Sequence, residues 1–192
     1  ADPLASQAIA KGMQALQNGG AKEALKYFEA ASLISPEEYW AVAYAARSSY
    51  SLGRWHEARQ ALISIPEEVI DADINLAAFV KYWLAELDLR QGKEDAELTI
   101  NTAISLAKQA TNVSLMAKGY RLKASIAWHQ RKWILHDQLQ DKANRLFGSD
   151  SSLAVQADKL FYLGNPSNPG LEKSPTLDLK DNRQKLYKSL NF

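Results

Sequence analysis

The residues best equipped for chemistry meet around one turn of this chain. His129 and His136 stand on either side of Arg131-Lys132, and Asp137 and Asp141 lie one helical step apart just beyond. Imidazoles beside carboxylates are the raw material of zinc sites and of general acid–base pairs. The spacing completes neither, because a zinc helix needs two histidines four apart with a glutamate. With 3 His and 0 Cys there is also no thiolate ligand, cysteine nucleophile or disulfide. Glu37-Glu38 and Glu67-Glu68 each follow a proline, and they read as first-turn acids facing a helix dipole rather than as a catalytic pair. Gly19-Gly20 and Gly164 lack the lysine and hydroxyl residue, or the spaced glycines, of a phosphate loop. The expectation is therefore no catalytic residue, no cofactor and no metal site: a protein that is not an enzyme.

A second constellation is basic and aromatic: Lys118, Arg121, Lys123, Arg131 and Lys132 interleave with Tyr120, Trp128 and Trp133. That is the composition of a phosphate-tracking surface. The net charge of +1 gives no overall attraction to nucleic acid, so the cluster reads as an ordinary exposed face and no nucleic-acid partner is expected. The total conceals an asymmetry. Residues 1–111 carry 10 Lys+Arg against 15 Asp+Glu, and residues 112–192 carry 13 against 7. Oppositely charged halves suit weak head-to-tail self-association. No apolar run is long enough to span a membrane. The start Ala1-Asp2-Pro3 and the absent cysteines fit a processed bacterial periplasmic chain as well as a cytoplasmic one. Asn112-Val113-Ser114 fits a glycosylation triplet but falls at an expected helix cap.

The elements that must position these residues are helices. Gly19-Gly20-Ala21-Lys22-Glu23-Ala24 returns 34 residues later as Gly53-Arg54-Trp55-His56-Glu57-Ala58. A repeat of that length is a helical hairpin that must stack on a neighbour to bury its apolar face. Helices are predicted over Leu4–Gln17 and Lys22–Ile34, the second with Ala24, Tyr27, Phe28, Ala31 and Ile34 as its buried stripe. Ser35-Pro36-Glu37-Glu38 should open the third helix as a capping box with Pro36 at its first position. The third helix ends before Gly53, the fourth covers Trp55–Ile63, and Ser64-Ile65-Pro66-Glu67-Glu68 repeats the proline-then-acid entry. A longer third unit pairs Ile74–Arg90 with Glu94–Ala110, and a fourth pairs Ser114–Gln130 with Trp133–Phe147. Ser151–Leu163 reads as a capping helix. The fold class is all-α: a solenoid of about four antiparallel helix pairs, a cap and an irregular C-terminal tail.

These residues resemble the tetratricopeptide repeat family. Gly12, Gly19, Ala24, Phe28, Ala31 and Pro36 fall at the family's steps in the first unit, and Ala46, Gly53, Trp55 and Ala58 in the second. Ile70 stands where the second proline belongs, with Pro66 arriving early, and the later units keep little beyond small residues at the helix crossing. The resemblance covers residues 5–147 and implies packing roles for Phe28 and Trp55.

It also implies that the first helix of each pair lines a concave, aromatic and cationic groove. The matching positions are Ile9, Met13, Leu16, Trp40, Ala43, Arg47, Tyr50, Phe79, Tyr82, Glu86, Lys118, Arg121, Ser125 and Trp128. Rigid aromatic area and forked Arg donors suit an extended or helical peptide. Ile9 and Met13 replace the polar donors of a terminal-carboxylate clamp, which leaves an apolar or amphipathic segment as the expected ligand. The implied function is a non-enzymatic scaffold or adaptor in an assembly, chaperone or regulatory complex. The alternative is a helical sensor module of a larger regulator that recognises a small molecule. The division expected is a repeat domain over 1–163 and a tail over 164–192, rich in turn formers at Gly164–Gly170. Leu186, Tyr187 and Leu190 would pack back on the helices or on a partner.

Overall fold

The structure, a computed structural model, describes residues 2–146. Those residues form α1 (Pro3–Gln17), α2 (Ala21–Ile34), α3 (Tyr39–Ser51), α4 (Trp55–Ile63), α5 (Glu67–Ala72), α6 (Ile74–Arg90), α7 (Ala96–Gln109), α8 (Val113–His129) and α9 (Trp133–Leu146). No strand occurs among the described residues. The all-α expectation holds, and α4 and α6 have the bounds read from their punctuation. The capping helix over Ser151–Leu163, the tail and the division at residue 163 lie outside the described residues.

One local device closes the hairpins. Gly19 (φ 79°), Gly53 (77°), Gly92 (66°), Thr111 (54°) and Arg131 (61°) each follow the C-cap of a helix in the left-handed region. The amide of the next residue then reaches back to close the turn: Gly20 to the Ala15 carbonyl at 2.8 Å, Arg54 to Ser49 at 2.9 Å, Lys93 to Asp88 at 2.8 Å, Asn112 to Ala107 at 2.9 Å and Lys132 to Ala127 at 2.8 Å. This is the Schellman arrangement, which satisfies carbonyls that a helix end leaves without amide donors. Glycine takes the required φ without steric cost, whereas Thr111 and Arg131 hold it against their own Cβ atoms.

Two expectations are corrected. Ser35-Pro36-Glu37-Glu38 does not build a capping box: Ser35 is the C-cap of α2, Pro36 and Glu37 form a turn, and α3 starts at Tyr39 with no side-chain bond from its N-cap Glu38. Ser35 is buried there, and its amide closes the end of α2 on the Ala31 carbonyl. Ile34, assigned to the buried stripe of α2, is exposed, and Leu25 is buried in the same helix. The second proline entry makes a helix of its own, α5, starting after Pro66 and ending at Asp73, which separates α4 from α6.

The described chain falls into two compact units, one up to Leu76 and one from Ala77. In the first, α1 packs on α2, α2 on α3 and α3 on α4. Its centre is Phe28, fully buried with Ala15, Leu16 and Ala24 and flanked by Ile9, Met13 and Tyr44. Gly12 makes room for it: a Cβ there would stand 2.7 Å from Phe28 Cε1. In the second unit α7 packs on α8 and α8 on α9. Gly119 of α8 plays the matching part, since its Cβ would meet Ile104 Cγ1 of α7 at 2.5 Å. Trp55, expected as a gap filler like Phe28, is only partly buried.

Candidate functional site

In the unit ending at Leu76, α1 and α3 leave a pocket of about 420 Å³ between their facing sides. Ser6, Ile9 and Met13 come from α1 at helical spacing, Trp40 and Tyr44 from α3, and Glu38 from the residue before α3. The walls are mainly apolar and aromatic, with one carboxylate at the edge. The aromatic side is held in place. Trp40 Nε1 donates to Asp73 Oδ2 at 2.9 Å, while Asp73 Oδ1 accepts from the Asn75 and Leu76 amides at 3.1 Å each and so caps α6. Trp40 and Tyr44 lie 5.7 Å apart between ring centroids, and Tyr44 stacks on Phe28 at 5.3 Å with 19° between planes. Burial pushes the Tyr44 phenol above its ordinary pKa, and the nearby Arg47 guanidinium opposes that shift.

Of the residues expected to line the groove, this pocket gathers Ile9, Met13 and Trp40. Leu16 sits in the Phe28 core, and Ala43, Arg47 and Tyr50 are buried along α3. Ser6, Glu38 and Tyr44 were missed. Tyr44 is one turn beyond Trp40 on the same face, a signal the spacing did carry; Glu38 was absorbed into the supposed capping box.

In the unit from Ala77 the corresponding first-helix positions carry buried polar groups. Along α6 the Tyr82 hydroxyl donates to Glu86 Oε1 at 2.8 Å, and Arg90 Nη2 lies 3.9 Å from Glu86 Oε2. Phe79 and Tyr82 both pack on Trp83, at 6.2 Å and 5.1 Å between centroids. Asp88 accepts from the Thr99 hydroxyl of α7 at 3.0 Å. On α8, Lys118, Arg121 and Ser125 are buried, and Arg121 Nη2 donates to Asn144 Oδ1 of α9 at 3.2 Å. Charges this buried need compensating contacts, and none of Glu86, Asp88, Lys118 and Arg121 stands without an interaction. Trp128 packs edge-on against Trp133 at 4.6 Å and against His136 at 5.1 Å.

The two histidines of the cluster fall in different surroundings. His136 is fully buried with Nδ1 3.0 Å from Asp137 Oδ1, whereas His129 is exposed at the end of α8. Among the described residues no three His, Asp or Glu side chains are grouped to hold a metal ion. Asn112 caps α8 through Leu115 N at 3.0 Å. None of the described helices is long and apolar enough to cross a membrane.

Successive helix hairpins closed by one turn geometry, with small residues at the crossings and an aromatic pocket between first helices, define an all-α helical-repeat protein. Residues 15–80 match the family model described as tetratricopeptide repeat. That span runs from the end of α1 into α6 and includes α3, which carries Trp40 and Tyr44. Comparison with curated proteins and with solved structures gave no match. Tetratricopeptide repeats generally mediate protein–protein interaction and are generally non-enzymatic.

Proposed function

We propose that this chain is a non-enzymatic interaction scaffold that docks an amphipathic segment of a partner protein in the pocket between α1 and α3. The observation that carries the reading is the pocket lined by Ile9, Met13, Trp40 and Tyr44 with Glu38 at its edge. Its aromatic rings are fixed by Asp73 and Phe28 before any ligand arrives, so little side-chain entropy remains to be lost on binding. An apolar side chain of the partner fills the space, and a neighbouring Lys or Arg meets Glu38. Tyr82, Glu86, Lys118 and Arg121, buried on α6 and α8, do not line this pocket.

The test uses Ile9→Asp and Met13→Asp, two partly buried positions that flank the Phe28 core and whose change puts charge into the pocket. Partners captured by the full chain are compared with those captured by the double variant, with helicity measured in both. Loss of the same partners at unchanged helicity supports the pocket; retention of them refutes it. Stabilisation by a small metabolite, with no protein captured, would favour the sensor reading instead.

A further inference from the structure

The hairpin of α8 and α9 ends in a run of side chains that its own packing leaves open. Arg131, Lys132, Trp133, Ile134 and Leu135 are all exposed, Trp133 at 48% and Ile134 at 77%. Single apolar side chains are ordinary on a surface, but an unbroken exposed run of them marks a contact. The run is also held in place. Arg131 sits at φ 61°, the Lys132 amide closes the turn on the Ala127 carbonyl at 2.8 Å, and the Trp133 ring rests edge-on against Trp128 at 4.6 Å between centroids. Two cations therefore lead into a fixed apolar tip.

The pocket between α1 and α3 has the opposite character. Its wall is made by Ile9, Met13, Trp40 and Tyr44, its edge carries Glu38 with the exposed Glu37 beside it, and no Lys or Arg is among the described residues that line it. The charges of the two compact units divide in the same way. Residues 1–76 carry 6 Lys+Arg against 10 Asp+Glu, net −4, and residues 77–146 carry 11 against 7, net +4. A negative unit with an apolar pocket and a positive unit with an apolar tip attract each other when they belong to two molecules.

We propose that residues 131–135 of one copy of this chain dock in the pocket between α1 and α3 of a second copy. The proposal rests on the pocket reading given above and names its occupant. Ile134 and Leu135 fill the space against Met13 and Trp40, while Arg131 and Lys132 meet Glu37 and Glu38. The tip is rigid before it binds, so little order has to be imposed on it. Two different surfaces are joined, and a pair still presents one open pocket and one open tip to further copies.

Sedimentation of the full chain at low salt, from about 1 to about 500 µM, tests it. The mean mass is expected to rise with concentration above that of a single chain, and to rise less when salt is added. Ile134→Asp should weaken the association about tenfold or more, with helicity unchanged because the position is exposed. Arg131→Glu with Lys132→Glu should weaken it too, as should Glu37→Lys with Glu38→Lys. All four changes in one chain should restore it, since the charges then face each other in reverse, an outcome that a merely structural role would not produce. A wild type that stays monomeric, association that survives Ile134→Asp, or a fourfold variant no tighter than either reversal would overturn the proposal. Loss of captured partners by the Ile9→Asp, Met13→Asp variant of a monomeric chain would show that the pocket takes a different protein, which separates failure of this proposal from failure of the pocket reading.

Discussion

Gly12→Ala is the sharpest probe of the packing beneath the pocket, because two effects of known size oppose each other there. In an exposed helix interior the change would stabilise by about 0.8–1 kcal/mol through helix propensity. Here the new Cβ would lie 2.7 Å and 2.8 Å from Phe28 Cε1 and Cζ, well inside the contact optimum of about 3.5–4.0 Å. Phe28 cannot retreat, since it is fully buried and its ring is stacked on Tyr44 at 5.3 Å. Overpacking of this kind costs about 1–3 kcal/mol, and a rigid ring wedged between two helices belongs in the upper part of that range. The net expectation is a loss of about 1–2 kcal/mol, read as a fall of about 0.5–1 M in the urea midpoint followed by helical circular dichroism. Phe28→Leu provides the control. In that background Gly12→Ala should turn from destabilising to neutral or stabilising, a coupling of about 1–3 kcal/mol in the double-mutant cycle. A single Gly12→Ala variant more stable than the wild type would refute the reasoning, because propensity alone would then govern the site.

Three further outcomes are expected. Thr111→Gly and Arg131→Gly should each stabilise by about 0.5–1 kcal/mol, the relief of a left-handed φ less the entropy of glycine, and a lowered thermal midpoint in both would count against the strain. Asp73→Ala removes the α6 cap and the Trp40 partner together, so a loss of about 1–3 kcal/mol is expected, with a shift in tryptophan emission as the direct readout. In alkaline titration Tyr44 should ionise late: its folded pKa is raised above 10.0, so its contribution to stability is intact below pH 10.0 and is lost as pH climbs through the folded value. Tyr44→Phe should abolish that late absorbance step, and an unchanged titration curve would contradict the assignment.

The helices were legible because their boundaries are marked by residues with strong local preferences. Gly19 and Gly53 announced two turns through the freedom of glycine, and Trp55–Ile63 and Ile74–Arg90 followed from the punctuation around them. Gly92 still marks the turn between α6 and α7, but the repeat fades beyond it because the left-handed position passes to Thr111 and Arg131, whose side chains give no hint of it. What persists there is backbone geometry enforced by the packing of the flanking helices. Pro36 misled for the opposite reason: proline marks a helix start well, yet it serves a connecting turn equally well, and burial of Ser35 decided the matter. At the pocket the sequence pointed to Ile9, Met13 and Trp40 but not to the neighbours that orient them. Asp73 lies 33 residues from Trp40, and no spacing rule ties an indole to a distant helix cap. The surroundings of Tyr120 were equally hidden, since Lys108 and Lys142 reach its ring from separate helices.

The shared turn also bears on how the chain assembles. Each is closed by amides that reach back only a few residues, so little loop-closure entropy opposes the turn, while the hairpin around it becomes stable only when a neighbour covers its apolar face. Chains built in this manner grow and melt by neighbour-to-neighbour addition. Heating should therefore open the hairpins in steps rather than in one transition, and amide exchange would record this as protection that differs from hairpin to hairpin.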